Sequence, residues 1–325
     1  MLLTPDSDDT AIIEVASALL QDVIPIGRLH GRVPAPDLCD EARLRIAEMG
    51  WFGSTLSQEK GGTGLSSVEH VLFFREVGRR CGPLDILVQV LAVLAARDPV
   101  ARQSYLEGRT HVALVVTEGD SHRLFGRRDA SAALLLEGGT AQLFDISGVQ
   151  TDERPSLDPA TTMCVLKSSP PEPIAVCADA NITRLGRLGA AAMLVGMGEA
   201  ALDLIVEYAK LRETFGRPIG AYQAVRHPCA DMALRIEAAR CQLWFAAAVV
   251  KDGRADMDAH IAAAKHLANE AAVMNADTNI QLHGGIGVTD EHDAHLLLKH
   301  ALLMSRLFGT KRGLFADLLH ARVEG

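Results

Sequence analysis

Arg212-Glu-Thr-Phe-Gly-Arg-Pro-Ile-Gly-Ala-Tyr-Gln223 is the stretch of this 325-residue chain that decides its fold. A second stretch, Gln281-Leu-His-Gly-Gly-Ile-Gly287, comes about sixty residues later. Both follow a long segment whose apolar residues recur with helical spacing, so both are predicted to lie at a helix end. Orphan backbone N–H groups and the helix dipole favour an anion at such an end. Together the two stretches predict a phosphate-binding site.

Three long amphipathic helices are predicted between residues 190 and 310. Their apolar positions are Leu194, Met197, Ala201, Leu204 and Tyr208; Met232, Ile236, Ala239, Leu243 and Ala246; and Ile261, Ala264, Ala268, Ala271 and Met274. Stripes of this length suit an antiparallel four-helix bundle. The composition agrees, because 48% of the residues are hydrophobic but only 4% are aromatic. Such a composition favours packed helices over a β-sandwich.

The rest of the chain is predicted to be helical at first and then to form a small sheet. Helices are predicted over residues 10–21, 41–49, 66–80 and 84–97, and strands over 112–116, 132–136, 141–146 and 162–167. The predicted fold class is therefore α+β and mostly α. It consists of an N-terminal helical domain (1–109), a small middle β domain (110–180) and a C-terminal helical bundle (181–325).

Charge and cysteine usage argue against several classes of function. A net charge of −9 is unsuited to a nucleic-acid surface, which needs a basic face. The six cysteines lack Cys-x-x-Cys spacing, which indicates reduced thiols in the cytoplasm rather than a disulfide framework or a zinc site. The first residues lack the basic region of a signal peptide. No apolar run is expected to be long enough to span a membrane.

In order and spacing, the two stretches resemble the acyl-CoA dehydrogenase family, FAD flavoproteins that oxidise the Cα–Cβ bond of acyl-CoA thioesters. In that family, Arg-x-Thr-Phe-Gly…Gln and Gln-x-x-Gly-Gly-x-Gly turns hold the adenine and pyrophosphate half of FAD, usually for the neighbouring subunit. The resemblance implies that the cofactor-binding residues are Arg212, Thr214, Phe215, Gln223, Gln281, His283, Gly284 and Gly285. The alternatives are that Arg212 merely offsets a helix dipole, that Gly284 is a helix C-cap, and that His283 is a packing residue.

The residues at the family's two proton-acceptor positions do not suit its chemistry. The reaction needs a carboxylate that removes the α-proton, and burial near the flavin would raise the pKa of that carboxylate toward the working pH. The family places it either in a Tyr-Glu-Gly-Thr loop, which matches Leu307-Phe-Gly-Thr310, or just ahead of an arginine that matches Arg187. Those positions are Phe308 and Gly186 here, and neither accepts a proton. The resemblance therefore predicts no catalytic residue in this chain.

The predicted middle domain also departs from the family. Thr117-Glu118 resembles the start of the family's flavin-facing loop, but the Gly-Ser-Asp that should follow is missing from Gly119-Asp-Ser-His122. The family's tryptophan-containing flavin strand is missing as well, because the only tryptophans are Trp51 and Trp244. We expect this reduced domain to cover an isoalloxazine ring poorly by itself.

The stretch from His283 to Lys299 resembles a bacterial branch of the family that works as α2β2 heterotetramers on bulky or unusual acyl-CoAs, such as sterol-derived thioesters. In such pairs, one chain carries the base and the flavin-ring pocket. A shorter chain lacks the base and completes the FAD site across the interface. The resemblance implies this second role, with a full-length homologous subunit as partner, an acyl-CoA as substrate and electron-transfer flavoprotein as the acceptor.

Three alternatives stay open at this point. A self-sufficient homotetrameric dehydrogenase would use an unrecognised base such as Glu118 or Glu199. An oxidase or monooxygenase relative with the same fold would need no such base. A flavin-free scaffold would only assemble partners.

The charged run Thr289-Asp-Glu-His-Asp-Ala-His295 has two interpretations of its own. Glu291 and Asp293 are expected to cap the next helix and line a subunit contact rather than act as bases. His292 and His295 with Asp293 suggest a metal, but no His-Glu-x-x-His or Cys-x-x-Cys spacing supports one. We therefore predict no metal site.

Overall fold

The N-terminal part of the chain is helical. A computed structural model describes residues 7–31 and 38–321. The helices are α1 (Ser7–Val23), α2 (Asp40–Glu48), α3 (Ser67–Arg79), α4 (Asp85–Ala95) and α5 (Pro99–Leu106). A capping box of Ser66 and Glu69 sets the start of α3, which lies within two residues of the predicted one. The four predicted helices are confirmed, and α5 is an additional one.

A seven-stranded sheet follows. Its strands are β1 (Val112–Glu118), β2 (Ser121–Phe125), β3 (Ala132–Glu137), β4 (Thr140–Asp145), β5 (Thr151–Arg154), β6 (Met163–Leu166) and β7 (Ala175–Cys177). Their order is β5-β6-β2-β1-β3-β4-β7, in which β1 and β3 are parallel and the other pairs antiparallel. The four predicted strands are confirmed as β1, β3, β4 and β6. The other three lack a long apolar pattern, since β5 reads Thr-Asp-Glu-Arg and β7 has three residues.

The predicted four-helix bundle is confirmed in the C-terminal part. It is formed by α6 (Ala180–Leu211), α7 (Gln223–Lys251), α8 (Met257–His283) and α9 (Ala294–Met304), and α10 (Lys311–His320) packs against α8. A short hairpin of β8 (Glu213–Thr214) and β9 (Arg217–Pro218) connects α6 to α7. The bundle core is rich in alanine, so the helices approach one another closely.

Two described segments are longer and more apolar than we expected. Residues 9–29 and 180–211 are both long and apolar enough to cross a membrane by length and composition alone. The expectation that no such run exists is therefore wrong. In the second segment, 72% of the apolar window is buried inside the protein, because α6 is the central helix of the bundle. In the first, near the N-terminus, 17% is buried.

Helices α3 and α6 cross at a point where both carry glycine. A Cβ built on Gly78 would lie 1.9 Å from the carbonyl oxygen of Met193, and one built on Gly196 would lie 2.0 Å from that of Arg75. Real side chains do not approach a backbone oxygen so closely. The crossing therefore depends on the absence of side chains at these two positions.

Candidate functional site

The Arg212–Gln223 stretch forms a hairpin with an exposed tip at the end of α6. Strand β8 pairs with β9, and the two residues of the turn, Phe215 and Gly216, have φ values of 50° and 77°. A turn with two positive φ values is of type I′ and strains any residue that carries a Cβ. The Phe215 side chain is 97% exposed, so packing within the chain does not offset this strain. An exposed phenyl ring in a strained turn indicates a surface that contacts another molecule.

Contacts inside the hairpin hold its shape and leave one cation available. The Tyr222 hydroxyl donates to the carbonyl of Thr214 at 3.0 Å, and the Arg217 guanidinium lies 4.1 Å above the Tyr222 ring. Arg212 is exposed, and its side chain has no hydrogen bond or ion pair with any residue in the described ranges. Its guanidinium is therefore available to a bidentate acceptor such as a phosphate.

The helix ends at the two stretches are mostly the opposite of those that favour an anion. Arg212 follows the C-terminus of α6 and Gly284 follows that of α8, where the dipole favours cations. At these two positions the helix dipole does not favour an anion, contrary to the prediction from the sequence. The dipole does favour an anion at Gln223, the first residue of α7, because no described side chain caps the first N–H groups of that helix.

The Gln281–Gly285 turn lies at the same end of the bundle as the hairpin. The ring of His283 at the end of α8 is 4.5 Å from the ring of Tyr208, in the last turn of α6. Gly284 has φ 68°, which explains a glycine there. A Cβ on Gly285 would meet no atom within 4 Å, so packing within the chain does not explain that glycine. Close approach of another molecule to the backbone would explain a glycine at this position.

His283 is held by contacts within the chain. Its ring is buried between the rings of Tyr208 and His292, and its Nδ1 lies 2.8 Å from the carbonyl oxygen of Asn279. Burial lowers the pKa of His283, so the ring is neutral near pH 7. This placement favours the packing alternative for His283 over donation to a phosphate.

Phe308 and Gly186, the two positions at which the resemblance places a base, lie against each other. A Cβ built on Gly186 would be 3.1 Å from both Cδ1 and Cε1 of the Phe308 ring. Phe308 itself has φ 58°, a value uncommon outside glycine. Beside the ring is a cavity of about 260 Å³ between β1, β3, the start of α6 and residues 306–309. Phe308 lines this cavity, and its ring occupies the space that a side chain at position 186 would need.

Carboxylates elsewhere do not take over the role of a buried base. Glu137, which the sequence analysis missed, lines the cavity but lies at the exposed end of β3. Glu118 is exposed and pairs with Arg123 at 3.0 Å. Glu199 accepts from the Arg75 guanidinium at 2.7 Å and lies about 20 Å along α6 from Gly186. Glu118 and Glu137 are thus exposed to water, whereas Glu199 is buried but paired with arginine and distant from Gly186. None of the three is a desolvated carboxylate beside the cavity.

The segment that resembles the start of the family's flavin-facing loop is a tight turn. Strands β1 and β2 pair as far as Glu118 and Ser121, so only Gly119 and Asp120 connect them. A two-residue connection cannot extend over a ring system. The expectation that this domain covers an isoalloxazine ring poorly stays a prediction.

The start of α9 corrects the expected capping. Asp293 occupies the N-cap position without capping, because its carboxylate lies 2.5 Å from Nε2 of His30. The Nδ1 of His292 instead accepts from the N–H of Ala294 at 3.1 Å. Among the described residues, no group of three or more His, Cys, Asp or Glu side chains is arranged to hold a metal ion.

A fully buried lysine next to this region escaped the sequence analysis. Lys265 on α8 donates to the Oδ1 of Asn269 at 2.5 Å and to the carbonyl of Met304, the last residue of α9, at 3.2 Å. It thereby holds the end of the helix that leads into Phe308. Burial, with the charge of Arg187 as a second cause, lowers the pKa of Lys265 to about 7. A lysine inside an otherwise apolar stripe was the signal that would have revealed it.

Lys265→Met is expected to remove a pH dependence of stability. In the unfolded chain the pKa of lysine is about 10.4, so between about pH 7 and pH 10 the unfolded state binds more protons and the free energy of unfolding rises with pH. Over that range the free energy of unfolding of the wild type should therefore rise, relative to that of the variant, by on the order of 3 kcal/mol. Urea titrations at several pH values would measure it. A constant difference would contradict the buried position of the ammonium group.

A helical N-terminal domain, a small sheet and a four-helix bundle, in this order, define the acyl-CoA dehydrogenase fold. Residues 9–107 match the acyl-CoA dehydrogenase N-terminal domain, and residues 179–316 match the C-terminal domain of the same family. The chain belongs to the acyl-CoA dehydrogenase family.

The chain aligns over almost its whole length with several known proteins. The chain is 31% identical over 323 residues to acyl-CoA dehydrogenase IpdE2 of Mycobacterium tuberculosis, covering 95% of this chain and 96% of that protein. Two solved structures share its fold. A variant of the Tcur3481-Tcur3483 steroid ACAD has 24% identity and a TM-score of 0.79 over 97% of both chains. The ChsE4-ChsE5 complex from Mycobacterium tuberculosis has 22% identity and a TM-score of 0.80 over 99% of this chain and 100% of that one.

Proposed function

We propose that this chain is the base-lacking subunit of a two-chain, FAD-dependent acyl-CoA dehydrogenase with α2β2 composition. The observation that carries the proposal is the Phe308 ring packed against Gly186, because it places hydrocarbon at both positions where a proton acceptor is expected. A full-length homologous subunit would supply the carboxylate and the flavin-ring pocket. The likeness in fold to the ChsE4-ChsE5 complex, itself built of two named chains, supports a heteromer.

This chain would bind the nucleotide half of FAD. The residues that would hold it are Arg212, Thr214, Phe215, Gln223, Gln281, Gly284 and Gly285. The exposed hairpin tip, the guanidinium of Arg212 and the uncapped start of α7 fit a pyrophosphate. His283 would support the turn from within. They form an open surface that a second subunit would have to cover, whereas the two-residue turn after Glu118 does not fit an isoalloxazine ring.

The chemistry of the proposed complex is α,β-dehydrogenation of an acyl-CoA thioester. Bound FAD would supply the hydride acceptor for the β-hydrogen, and a carboxylate of the partner subunit would take the α-proton. The role of this chain is to bind and orient the nucleotide and to exclude water from the apolar position at Phe308. The substrate would be a bulky thioester, as the likeness to a steroid ACAD suggests, with electron-transfer flavoprotein as the acceptor. We also propose a cytoplasmic location, which suits six cysteines that lack Cys-x-x-Cys spacing.

Co-expression with a full-length homologous dehydrogenase subunit would test this function. We expect a stable complex with FAD and thioester-dependent dye reduction, and neither from this chain purified alone. Turnover by the isolated chain would contradict the proposal. A colourless complex with the same partner would instead favour the scaffold alternative, and oxygen consumption by the reduced flavin would favour an oxidase or monooxygenase.

Glu137 lines the 260 Å³ cavity and is therefore the candidate base if the chain is a self-sufficient dehydrogenase. If Glu137 were the base, Glu137→Gln would lower the turnover of the complex by several orders of magnitude. If the partner supplies the base, the same change should leave turnover within about twofold, since a neutral isostere alters little at an exposed position.

Phe308→Ala in this chain is expected to leave dye reduction by the complex within about threefold of wild type. The phenyl ring packs against Gly186 but offers no proton acceptor, so its loss removes contacts rather than chemistry. Stopped-flow reduction of the flavin by substrate would measure the chemical step. A Phe308→Ala complex that keeps its full content of flavin but has no activity would contradict the proposal that Phe308 has no part in the chemical step.

A further inference from the structure

Residues 28–30, which follow α1, connect the N-terminal helices with the start of α9. Nδ1 of the His30 ring lies 2.8 Å from the backbone carbonyl oxygen of Asp290, and Nε2 lies 2.5 Å from Oδ1 of Asp293. Two residues earlier, the Arg28 guanidinium donates to the carbonyls of Arg80 and Cys81. The segment is thus anchored to the end of α3, and His30 presents its ring to the loop between α8 and α9.

Both partners of the His30 ring are acceptors. A backbone carbonyl has no proton to give, and a carboxylate near pH 7 has none either. A neutral imidazole carries one N–H and can satisfy only one of them, whereas the imidazolium carries two. The observed geometry therefore requires the protonated ring.

The charges around His30 favour that form. Burial acts to lower the pKa of His30, but the hydrogen bonds to Asp290 and Asp293 and the negative charges of Asp293 and Glu291 outweigh it and raise the pKa. The other titratable groups that face it are His292 and His295, whose own pKa values are lowered by burial. The link is therefore present at low pH and is lost as the pH rises through the raised pKa.

The loop that His30 holds leads directly to the proposed nucleotide-binding residues. It carries His292, whose ring lies 4.4 Å from that of His283, and His283 in turn lies 4.5 Å from Tyr208. The Tyr208 carbonyl accepts from the N–H of Arg212 at 2.8 Å. A continuous set of packed rings thus connects the held loop with the Gln281–Gly285 turn and the start of the hairpin.

We propose that His30 is a positioning residue for the nucleotide-binding surface and acts as an imidazolium that clamps the Asp290–Asp293 loop. Loss of its proton releases the loop, and with it the packed rings that support Gly284 and Arg212. The proposal rests on the proposed function for its effect on FAD, but its effect on the loop stands by itself. Retention of the nucleotide is thereby made to depend on pH through a residue that does not touch it.

Hydrogen exchange at residues 284–293 tests the clamp in the full-length chain co-purified with its partner. Protection factors, corrected for the intrinsic effect of pH, should fall at least tenfold in wild type between about pH 6 and pH 9. His30→Gln should give low and constant protection, because glutamine is neutral. His30→Arg should give high and constant protection, because arginine donates to both acceptors at every pH. His320→Gln is the matched control, since within residues 7–31 and 38–321 the ring of His320 hydrogen-bonds only to Ala316 of its own helix.

The outcomes separate this proposal from the proposed function. A wild-type pH profile in His30→Gln, or no recovery in His30→Arg, would overturn the role of His30. Exchange within α8 at residues 261–276 reports whether any variant has simply unfolded. The amount of FAD that these samples retain should fall together with the protection of residues 284–293. For the wild type we expect at least a threefold loss of FAD at the higher pH. If the complex carries no FAD at any pH, the proposed function fails, while the exchange profiles still decide on the clamp.

Discussion

Arg212→Ala is expected to weaken the retention of FAD by the two-chain complex about 10- to 100-fold, since charge-assisted hydrogen bonds contribute about 1.5–3 kcal/mol. The arginine lies at the base of the exposed hairpin, and its side chain has no hydrogen-bond or ion-pair partner among the described residues. Its removal should therefore cost cofactor binding without loss of folding stability. Equilibrium dialysis of FAD against the purified complex would measure the dissociation constant.

Two neighbouring variants sharpen this test. Lys210→Ala removes a cation from the same helix end, but Lys210 is paired with Glu207 at 2.6 Å, so FAD binding should not change. Arg212→Lys keeps the charge and loses the planar fork, so an intermediate loss is expected. Equal losses from Lys210→Ala and Arg212→Ala would mean that the general charge of the helix end, rather than the guanidinium, attracts the cofactor.

Gly196→Ala is expected to lower the free energy of unfolding by about 3 kcal/mol or more, or to abolish folding. A methyl group there would lie 2.0 Å from the carbonyl oxygen of Arg75, so α3 and α6 would have to separate. The separation would also break the contact of Arg75 with the buried carboxylate of Glu199. Thermal or urea unfolding followed by circular dichroism would measure the loss.

Gly148→Ala provides the control for this change. A Cβ at Gly148 would meet no atom within 4 Å, so the same substitution should alter stability by less than about 0.5 kcal/mol. Gly78→Ala, on the other helix of the crossing, should be as harmful as Gly196→Ala. A tolerated alanine at both positions would show that the two helices do not cross as closely as described.

The helices and the bundle could be predicted from the sequence because their apolar residues recur with a period that few other structures share. The stripe that begins at Leu194 belongs to α6, and the one that begins at Met232 belongs to α7. The strands that were not predicted, such as β5, have no such period. Their extended conformation depends on pairing with a neighbouring strand. The predicted cap at Asp293 failed for a related reason, since its partner His30 is distant in the sequence.

The FAD-binding residues remain a prediction, which rests on the order and spacing of motifs. The sequence supplied the residue types and implied that Phe308 and Gly186 were no bases. It had no means of showing that these two residues touch or that Glu137 lines the cavity. Nor could it show that Lys265 is buried with no acidic side chain beside it in the described part of the chain. Each of these facts depends on which helices and strands are neighbours.

By itself, the sequence determined the family, the helical architecture and the lack of a carboxylate at both expected positions, because these follow from local periodicity and from residue types. The tertiary structure alone decided that the two turns lie at the same end of the bundle and that the ring of Phe308 fills the space beside Gly186. It also brought the His30 ring onto the loop before α9. Contacts between residues far apart in the chain arise from packing, and packing is a property of the whole fold.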